Sequence, residues 1–218
     1  MYLNNAPQAR LYVEKALKDL PANTEFILFE AIVRKKDNPN NPYLIAHKDS
    51  FLVRSWYVDT LERFDKLIQE MITIAHLTGA RLYMCCDVKS VDRMARAYIM
   101  KFQGLANRMI NRDKPSLKAM MNSPVSVAAS EEASIHQKRT YLFDIDTEDA
   151  NVWAEVYNAI PDDLKEQSLA FKSPNGHHII TPRFNIGVKP EREFLHPDVT
   201  VKPNAMTIVY YNDEEECC

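Results

Sequence analysis

Apolar residues recur three and four positions apart over Leu61, Phe64, Leu67, Ile68, Met71, Ile72 and Ala75, which predicts a helix from Thr60 to about Leu77 with one core-facing stripe. Gly79 follows as a helix stop. The same spacing predicts an amphipathic helix over residues 7–20 and a long helix from Ser90 onward, with Val91, Met94, Ala95, Tyr98, Ile99 and Phe102 on its stripe. Runs of a different kind, short and rich in β-branched and aromatic residues, predict strands at 24–33, 43–46, 51–57, 80–86, 140–147, 178–181 and 206–211, with a further one ending at Lys172. A helix over 148–160 and a short one from Pro161 complete the pattern. Residues 113–137 change character, with two Pro-containing stretches and a run of Ala and Ser; they read as a surface loop with short helical pieces.

Strand, helix, strand, helix in this order predicts a layered α/β (α+β) protein. The 113–137 stretch suggests a division into an N-terminal α/β lobe of residues 1–137 and a β-rich lobe of residues 138–211, ahead of a disordered acidic tail, 212–218. The chain has 218 residues, 46% of them apolar and 26% charged, enough for a sizeable core. Its net charge of -3 gives no global basic signature, so a nucleic-acid partner would have to be met by a local patch. No apolar run is long enough for a membrane span, and Met1-Tyr-Leu-Asn-Asn-Ala-Pro7 lacks the basic and apolar regions of a signal peptide; a cytoplasmic protein with no membrane partner is expected. The cysteines, Cys85-Cys86 and Cys217-Cys218, form two adjacent pairs that suit neither a disulfide framework nor a tetrahedral metal site.

Candidate chemistry concentrates in two stretches. In Thr140-Tyr-Leu-Phe-Asp-Ile-Asp-Thr147 an apolar strand carries Asp144 and Asp146 two positions apart, so alternation sends both carboxylates to one side. Like charges on one patch raise each other's pKa unless a cation lies between them, and an oxygen-liganded divalent metal answers that need. The competing reading is a helix cap, for which Thr147 and Asp149 are also at hand. The second stretch, Ser173-Pro-Asn-Gly-His-His-Ile-Ile-Thr181, is a turn that feeds a histidine pair into a strand. Alternation places His177 and His178 on opposite faces, so one of them at most shares a site with the aspartates. Lys172, Ser173, Asn175 and the Gly176 backbone offer donors suited to phosphate oxygens.

These stretches together resemble the archaeo-eukaryotic primase superfamily, including its small phage proteins. The first motif of that family, an apolar run with Asp-x-Asp, matches Asp144 and Asp146; the second, Gly-x-His-hydrophobic, matches Gly176-His177-His178-Ile179 and selects His178. The third, a single acid, is matched by Asp198 ahead of Val199-Thr200. The resemblance covers residues 138–211 and implies a primase-like two-layer fold whose mixed or antiparallel sheet carries the Asp-x-Asp strand. It further implies Mg2+ or Mn2+ held by Asp144, Asp146 and Asp198, and nucleoside triphosphate contacted by His178 with Lys172, Ser173 and Asn175. Catalysis would fall to Asp144, Asp146 and His178, with single-stranded DNA or RNA as template, replication proteins as partners, and the host cytoplasm as location if the protein is phage-encoded.

A basic stretch supplies a candidate template contact. Arg81, Lys89, Arg93, Arg96, Lys101, Arg108, Arg112, Lys114 and Lys118 outnumber the acids between them, with Tyr98 and Phe102 interleaved; Arg93, Arg96, Lys101 and Arg108 form the expected nucleic-acid-binding set. A solvated helix surface accounts for the same charges. Two other functions compete with nucleotidyl transfer: a catalytically decayed primase-like module that binds nucleic acid or is structural, and a haloacid-dehalogenase-like phosphatase with Asp144 as nucleophile. The second of these is short of sequence, because Thr147 stands where that family has glycine and few residues follow the motif.

Overall fold

The computed structural model describes residues 2–37, 39–41, 44, 49–111, 115–186 and 196–212, without the side chains of 115–118. In chain order the elements are β1 (Tyr2–Asn4), α1 (Ala6–Ala16), β2 (Glu25–Arg34), β3 (Ser50–Val58), α2 (Leu61–Thr78), β4 (Arg81–Cys85), β5 (Lys89–Ser90), α3 (Val91–Ile110) and α4 (Pro115–Ala128). There follow β6 (Thr140–Ile145), α5 (Ala150–Ala159), α6 (Asp162–Lys165), β7 (Leu169–Ser173), β8 (Gly176–Pro182), β9 (Val199–Pro203) and β10 (Met206–Asn212). One sheet has the order β1-β10-β4-β2-β3 with β5 on one end of β2, and the second has the order β7-β8-β6-β9. All the pairings are antiparallel, so the chain is an α+β protein. Among the described residues no helix is long and apolar enough to cross a membrane.

Alternation along β2 sends Ile27, Phe29, Ala31 and Val33 into the main core, where Ala9, Tyr12 and Val13 of α1 and Phe64, Met71 and Ala75 of α2 meet them. The α2 helix begins where Thr60 accepts the Arg63 N–H and ends where Gly79 takes φ 61°, a left-handed position that glycine adopts without steric cost. In the second sheet the same period-two rule divides β6. Leu142 packs into the main core with Phe171 and Ile180, while Phe143 and Ile145 turn the other way onto Val152 and Val156 of α5. Asp144 therefore lies on the face that looks toward the first sheet.

Two sequence expectations change here. Residues 206–211, read as part of the second lobe, form β10, an inner strand of the first sheet between β1 and β4. The chain leaves the first sheet, builds the second, and returns. Within 113–137 the expected loop is largely α4, a helix with Pro124 inside it. Proline cannot donate to the carbonyl of Met120, and the Ser123 hydroxyl donates to it instead at 2.8 Å, which repairs the gap. The expected strand at 43–46 and all but Asn212 of the acidic tail lie outside the described residues, Leu44 apart.

Buried polar contacts join the sheets. The Asn5 amide donates to Lys172 O of β7 at 2.9 Å and to Ile208 O of β10 at 2.8 Å, and its Oδ1 accepts the Lys172 N–H at 3.2 Å. At the far end Asp87 Oδ1 accepts both the N–H and the hydroxyl of Thr140, the first residue of β6. Lys89 is completely buried, and its three protons go to Ser130 O, Ser134 Oγ and Asn204 Oδ1 at 2.7–2.9 Å. That satisfies the ammonium without a carboxylate and fixes the β9–β10 turn, where Asn204 has φ 46°.

Replacing Asn5 with alanine leaves two strand carbonyls and one N–H without partners, and is expected to cost about 3 kcal/mol in a urea titration. Gly176→Ala is expected to cost at least as much, roughly 3 kcal/mol or more, because a Cβ there would stand 2.2 Å from Ile145 O and 2.5 Å from Thr147 O, backbone atoms that cannot step aside. Unchanged midpoints for both variants would contradict this account of how the sheets are held.

Candidate functional site

Asp144 and His178 are direct cross-strand partners in the β6–β8 register, which puts their side chains next to each other on one face. His178 Nε2 lies 3.0 Å from Asp144 Oδ1, and its Nδ1 is 2.9 Å from the Thr207 hydroxyl of β10. A ring nitrogen facing a carboxylate carries the proton, so Nε2–H donates to Asp144; in the neutral ring Nδ1 accepts from Thr207. Lys202 of β9 reaches the second oxygen, Oδ2, from the other side. His177 faces the opposite way, as alternation requires.

Asp144, His178 and Lys202 line one wall of a cleft of about 470 Å³. Asp146, just past the end of β6, and Ser173, Pro174 and Asn175 of the β7–β8 turn belong to the same wall. The first sheet supplies the other wall: Arg34 and the turn residues Lys36 and Asp37 beyond β2, Arg81 and Tyr83 of β4, and Met206 and Ile208 of β10. Arg34 donates to the Tyr83 hydroxyl at 3.1 Å. Arg81 donates to Asp37 Oδ1 at 2.6 Å and has its guanidinium 4.6 Å from the centre of the Tyr211 ring. Four cations, Arg34, Lys36, Arg81 and Lys202, thus share a cleft with three carboxylates, Asp37, Asp144 and Asp146. The Ser173 hydroxyl, Asp37 Oδ2 and Arg81 Nε are buried in it without hydrogen-bond partners.

The electrostatics of Asp144 differ from the expected mutual repulsion of two acids. Burial pushes its carboxyl up, but hydrogen bonds from His178 and Lys202, reinforced by their charges, outweigh that and hold it at about 2. Lys202 stands where a cation was expected. Half of the Lys202 side chain is exposed, so its head can leave Asp144 without disturbing the core.

The sequence-derived site residues divide clearly. Asp144, Asp146, His178, Ser173 and Asn175 meet in the cleft. Lys172 does not line it, because alternation in β7 turns Ser173 inward and Lys172 out to solvent. Asp198 does not line it either: its carboxylate lies 3.5 Å from His196 Nδ1, and its contribution is a carbonyl that accepts the Asp146 N–H at 2.9 Å. Among the described residues no group of three His, Cys, Asp or Glu side chains is placed to hold a metal. The helix-capping task falls to Asp149, which accepts the Asn151 N–H at the start of α5, so Asp144 and Asp146 are not needed for it. The Gly176 backbone serves the close passage of β6 described above.

Of the basic set, Arg93, Arg96 and Lys101 line a separate open groove with Asp92, Glu131 and Glu132, so cations and acids balance there. Arg96 pairs with Asp92, Arg93 donates to Glu132 O, and Lys101 donates to Ser126. Arg108 lies in the last turn of α3 and is not among the residues lining either space. Arg81 belongs to the cleft and Lys89 to the core; Arg112, Lys114 and the Lys118 side chain are outside the described structure. Sequence reasoning missed Arg34, Lys36, Asp37, Tyr83, Lys202 and Thr207. The one local signal was Arg34-Lys35-Lys36, a basic cluster at a strand end.

Because the folded Asp144 carboxyl is depressed, its contribution to stability is full above the unfolded value and is lost as pH falls from about 4 to about 2. The contribution is about 2 kcal/mol. Wild type and Asp144→Asn, compared by urea titration, should therefore differ by a constant amount from pH 7 to 5 and converge below pH 3. A gap that persists at pH 2 would show that the ionised carboxylate is not its source.

Comparison with family models, with curated proteins and with solved structures returns no match for this chain.

Proposed function

We propose that the cleft binds a nucleoside triphosphate with a divalent cation, and that the chain is a metal-dependent nucleotidyltransferase of primase type acting with a single-stranded nucleic acid. The observation that carries this reading is the opposition of walls: two carboxylates and a histidine on the second sheet face three cations on the first across one cleft. A polyphosphate with its metal is the ligand whose charges answer both walls at once.

Asp144 and Asp146 are the residues that would hold Mg2+ or Mn2+. Mg2+ commonly takes one or two carboxylates and completes its shell with water and substrate phosphate, so two acids suffice, and Asp198 is not required as a ligand. When bound, the metal would neutralise charge on the reacting phosphoryl group. Arg34, Lys36 and Arg81 neutralise the remaining phosphate charge, and Ser173 Oγ, now without a partner, has a proton to offer a phosphate oxygen. His178, fixed between Thr207 and Asp144, holds the carboxylate in orientation and keeps its own ring at the phosphate end of the cleft. With a metal on Asp144, the half-exposed Lys202 would be free to turn its ammonium toward a phosphate oxygen.

The phosphatase alternative loses its support in the fold, since β6 pairs antiparallel with both of its neighbours and no parallel α/β units follow it among the described residues. Template contact through α3 is also weakened by the balanced charge of the groove there.

The test is incubation of purified protein with Mn2+, nucleoside triphosphates and single-stranded template, alongside the Asp144→Ala/Asp146→Ala double variant. Product, or metal-dependent nucleotide binding, is expected in wild type and lost by at least about a hundredfold in the double variant. His178→Ala should weaken nucleotide binding roughly tenfold or more, and His177→Ala should leave it unchanged. Wild-type protein that neither makes product nor binds nucleotide above the double variant would sink the enzymatic reading. Metal-dependent binding without turnover would instead favour a decayed module.

A further inference from the structure

Among the described residues Asp37 is the one carboxylate on the cationic wall, and its surroundings are specific. Its own N–H donates to Arg34 O at 3.1 Å, and its Oδ1 accepts from Arg81 Nη2 at 2.6 Å. The two side chains are 5% and 8% exposed. With the turn and the guanidinium both holding it, the carboxylate has Oδ1 hydrogen-bonded to Arg81 Nη2 and Oδ2 buried without a partner, as is Nε of the same guanidinium. A buried ionised oxygen without a donor is costly, so such atoms normally have one.

We propose that Asp37 Oδ2 accepts a hydrogen bond from a sugar hydroxyl of the bound nucleotide, which makes Asp37 the residue that selects the sugar. This rests on the nucleotide reading of the cleft. A carboxylate oxygen only accepts, and it repels phosphate, so the ligand group that meets it is a donor. A nucleotide has donors of two kinds, sugar hydroxyls and base amines. Arg34, Lys36 and Arg81 lie around Asp37 and draw the phosphates toward this wall. The sugar is bonded directly to the phosphate chain, so its hydroxyls reach Asp37 before the edge of the base does. A site built to bind a hydroxyl also rejects the analogue lacking it, because the acceptor is then buried again without a donor.

The alternative role for Asp37 is a staple that ties the turn after β2 to β4 through Arg81. The two roles are separable, because Asp37→Asn keeps Oδ1 for Arg81 and converts the free oxygen into an NH2 that cannot accept. The experiment measures Mn2+-dependent binding of ATP, 2′-deoxyATP, 3′-deoxyATP and 2′,3′-dideoxyATP to the full chain, wild type and Asp37→Asn, with a thermal melt of each. Loss of one particular hydroxyl should weaken wild-type binding roughly ten- to a hundredfold, and Asp37→Asn should bind all four alike at the weaker level. The proposal is overturned if wild type binds the four within about twofold of one another, or if Asp37→Asn keeps the wild-type discrimination. Should Asp37→Asn fail to fold, the wild-type series decides alone. A wild type that binds no nucleotide at all removes the nucleotide reading and this inference with it, whereas binding without discrimination removes only the inference.

Discussion

The amide of Asn5 is the contact on which the arrangement depends. Where the two sheets meet, backbone groups face positions that apolar packing cannot satisfy, and Asn5 closes three of them, two carbonyls and one N–H, with one buried side chain, joining β7 to β10. Its position follows from sequence only locally: Pro7 fits the first turn of α1, and Asn4 rather than Asn5 accepts the Ala6 N–H, which frees the Asn5 side chain. The consequence is felt in the cleft. Ser173 is the residue after Lys172, and Thr207 the one before Ile208, so fixing those two backbones fixes the hydroxyl that faces the cleft and the hydroxyl that orients His178. The Asp87–Thr140 contacts hold the opposite end of β6, so the second sheet is clamped at both ends while its middle is filled by Leu142, Phe171 and Ile180.

Charge placement in the cleft follows from this clamping. At an effective dielectric of 20, two unit charges 4 Å apart interact by about 4 kcal/mol, so rigidly opposed walls of unlike charge store a preference for a ligand that carries both signs. A metal–polyphosphate is such a ligand. The acidic wall is already compensated from within by Lys202 and His178, which is why the Asp144 carboxyl is low instead of raised. Lys202 is half exposed on a long stem, and exchanging it for a divalent ion disturbs only its own rotamer. The cationic wall has no such mobile counter-ion among its described residues. Its one acid among those residues, Asp37, is fixed by Arg81, so the wall keeps an excess of positive charge from Arg34, Lys36 and Arg81 to meet an incoming anion.

Much of the second sheet was legible in sequence because its logic is a period of two. The alternation in Thr140-Tyr-Leu-Phe-Asp-Ile-Asp put Asp144 and Asp146 on one side, and the same rule admitted only one of His177 and His178; the choice of His178 came from the resemblance to the primase motif, not from pleat geometry. The cationic wall was not legible, because Arg34 and Arg81 come to share a cleft with Asp144 only through the pairing of β2 with β4 and of β4 with β10, contacts between segments far apart in the chain. The return of β10 to the first sheet is hidden for the same reason, since an apolar run declares a strand but not its neighbours. Pro124 concealed α4, because the rescue of Met120 O by Ser123 is a side-chain event inside an otherwise ordinary helix. Lys89 shows the reverse error: a lysine in a basic stretch reads as surface, yet three neutral acceptors make its burial tolerable.

Asp198 shows how a motif position can matter without its side chain. The strand β6 ends at Ile145, and Asp146 stands beyond the ladder where nothing in the sheet fixes its backbone. Its N–H is held by the carbonyl of Asp198 at 2.9 Å, one residue before β9 begins. That bond extends the β6–β9 pairing by one step and aims the Asp146 carboxylate into the cleft beside Asp144. Every residue, proline included, can supply a carbonyl, so among the described contacts the side chain at 198 is held only by its pairing with His196, whereas a carboxylate at 144 is required by two partners at once. The acids of the site are therefore unequal: Asp144 is positioned by side chains and Asp146 by backbone.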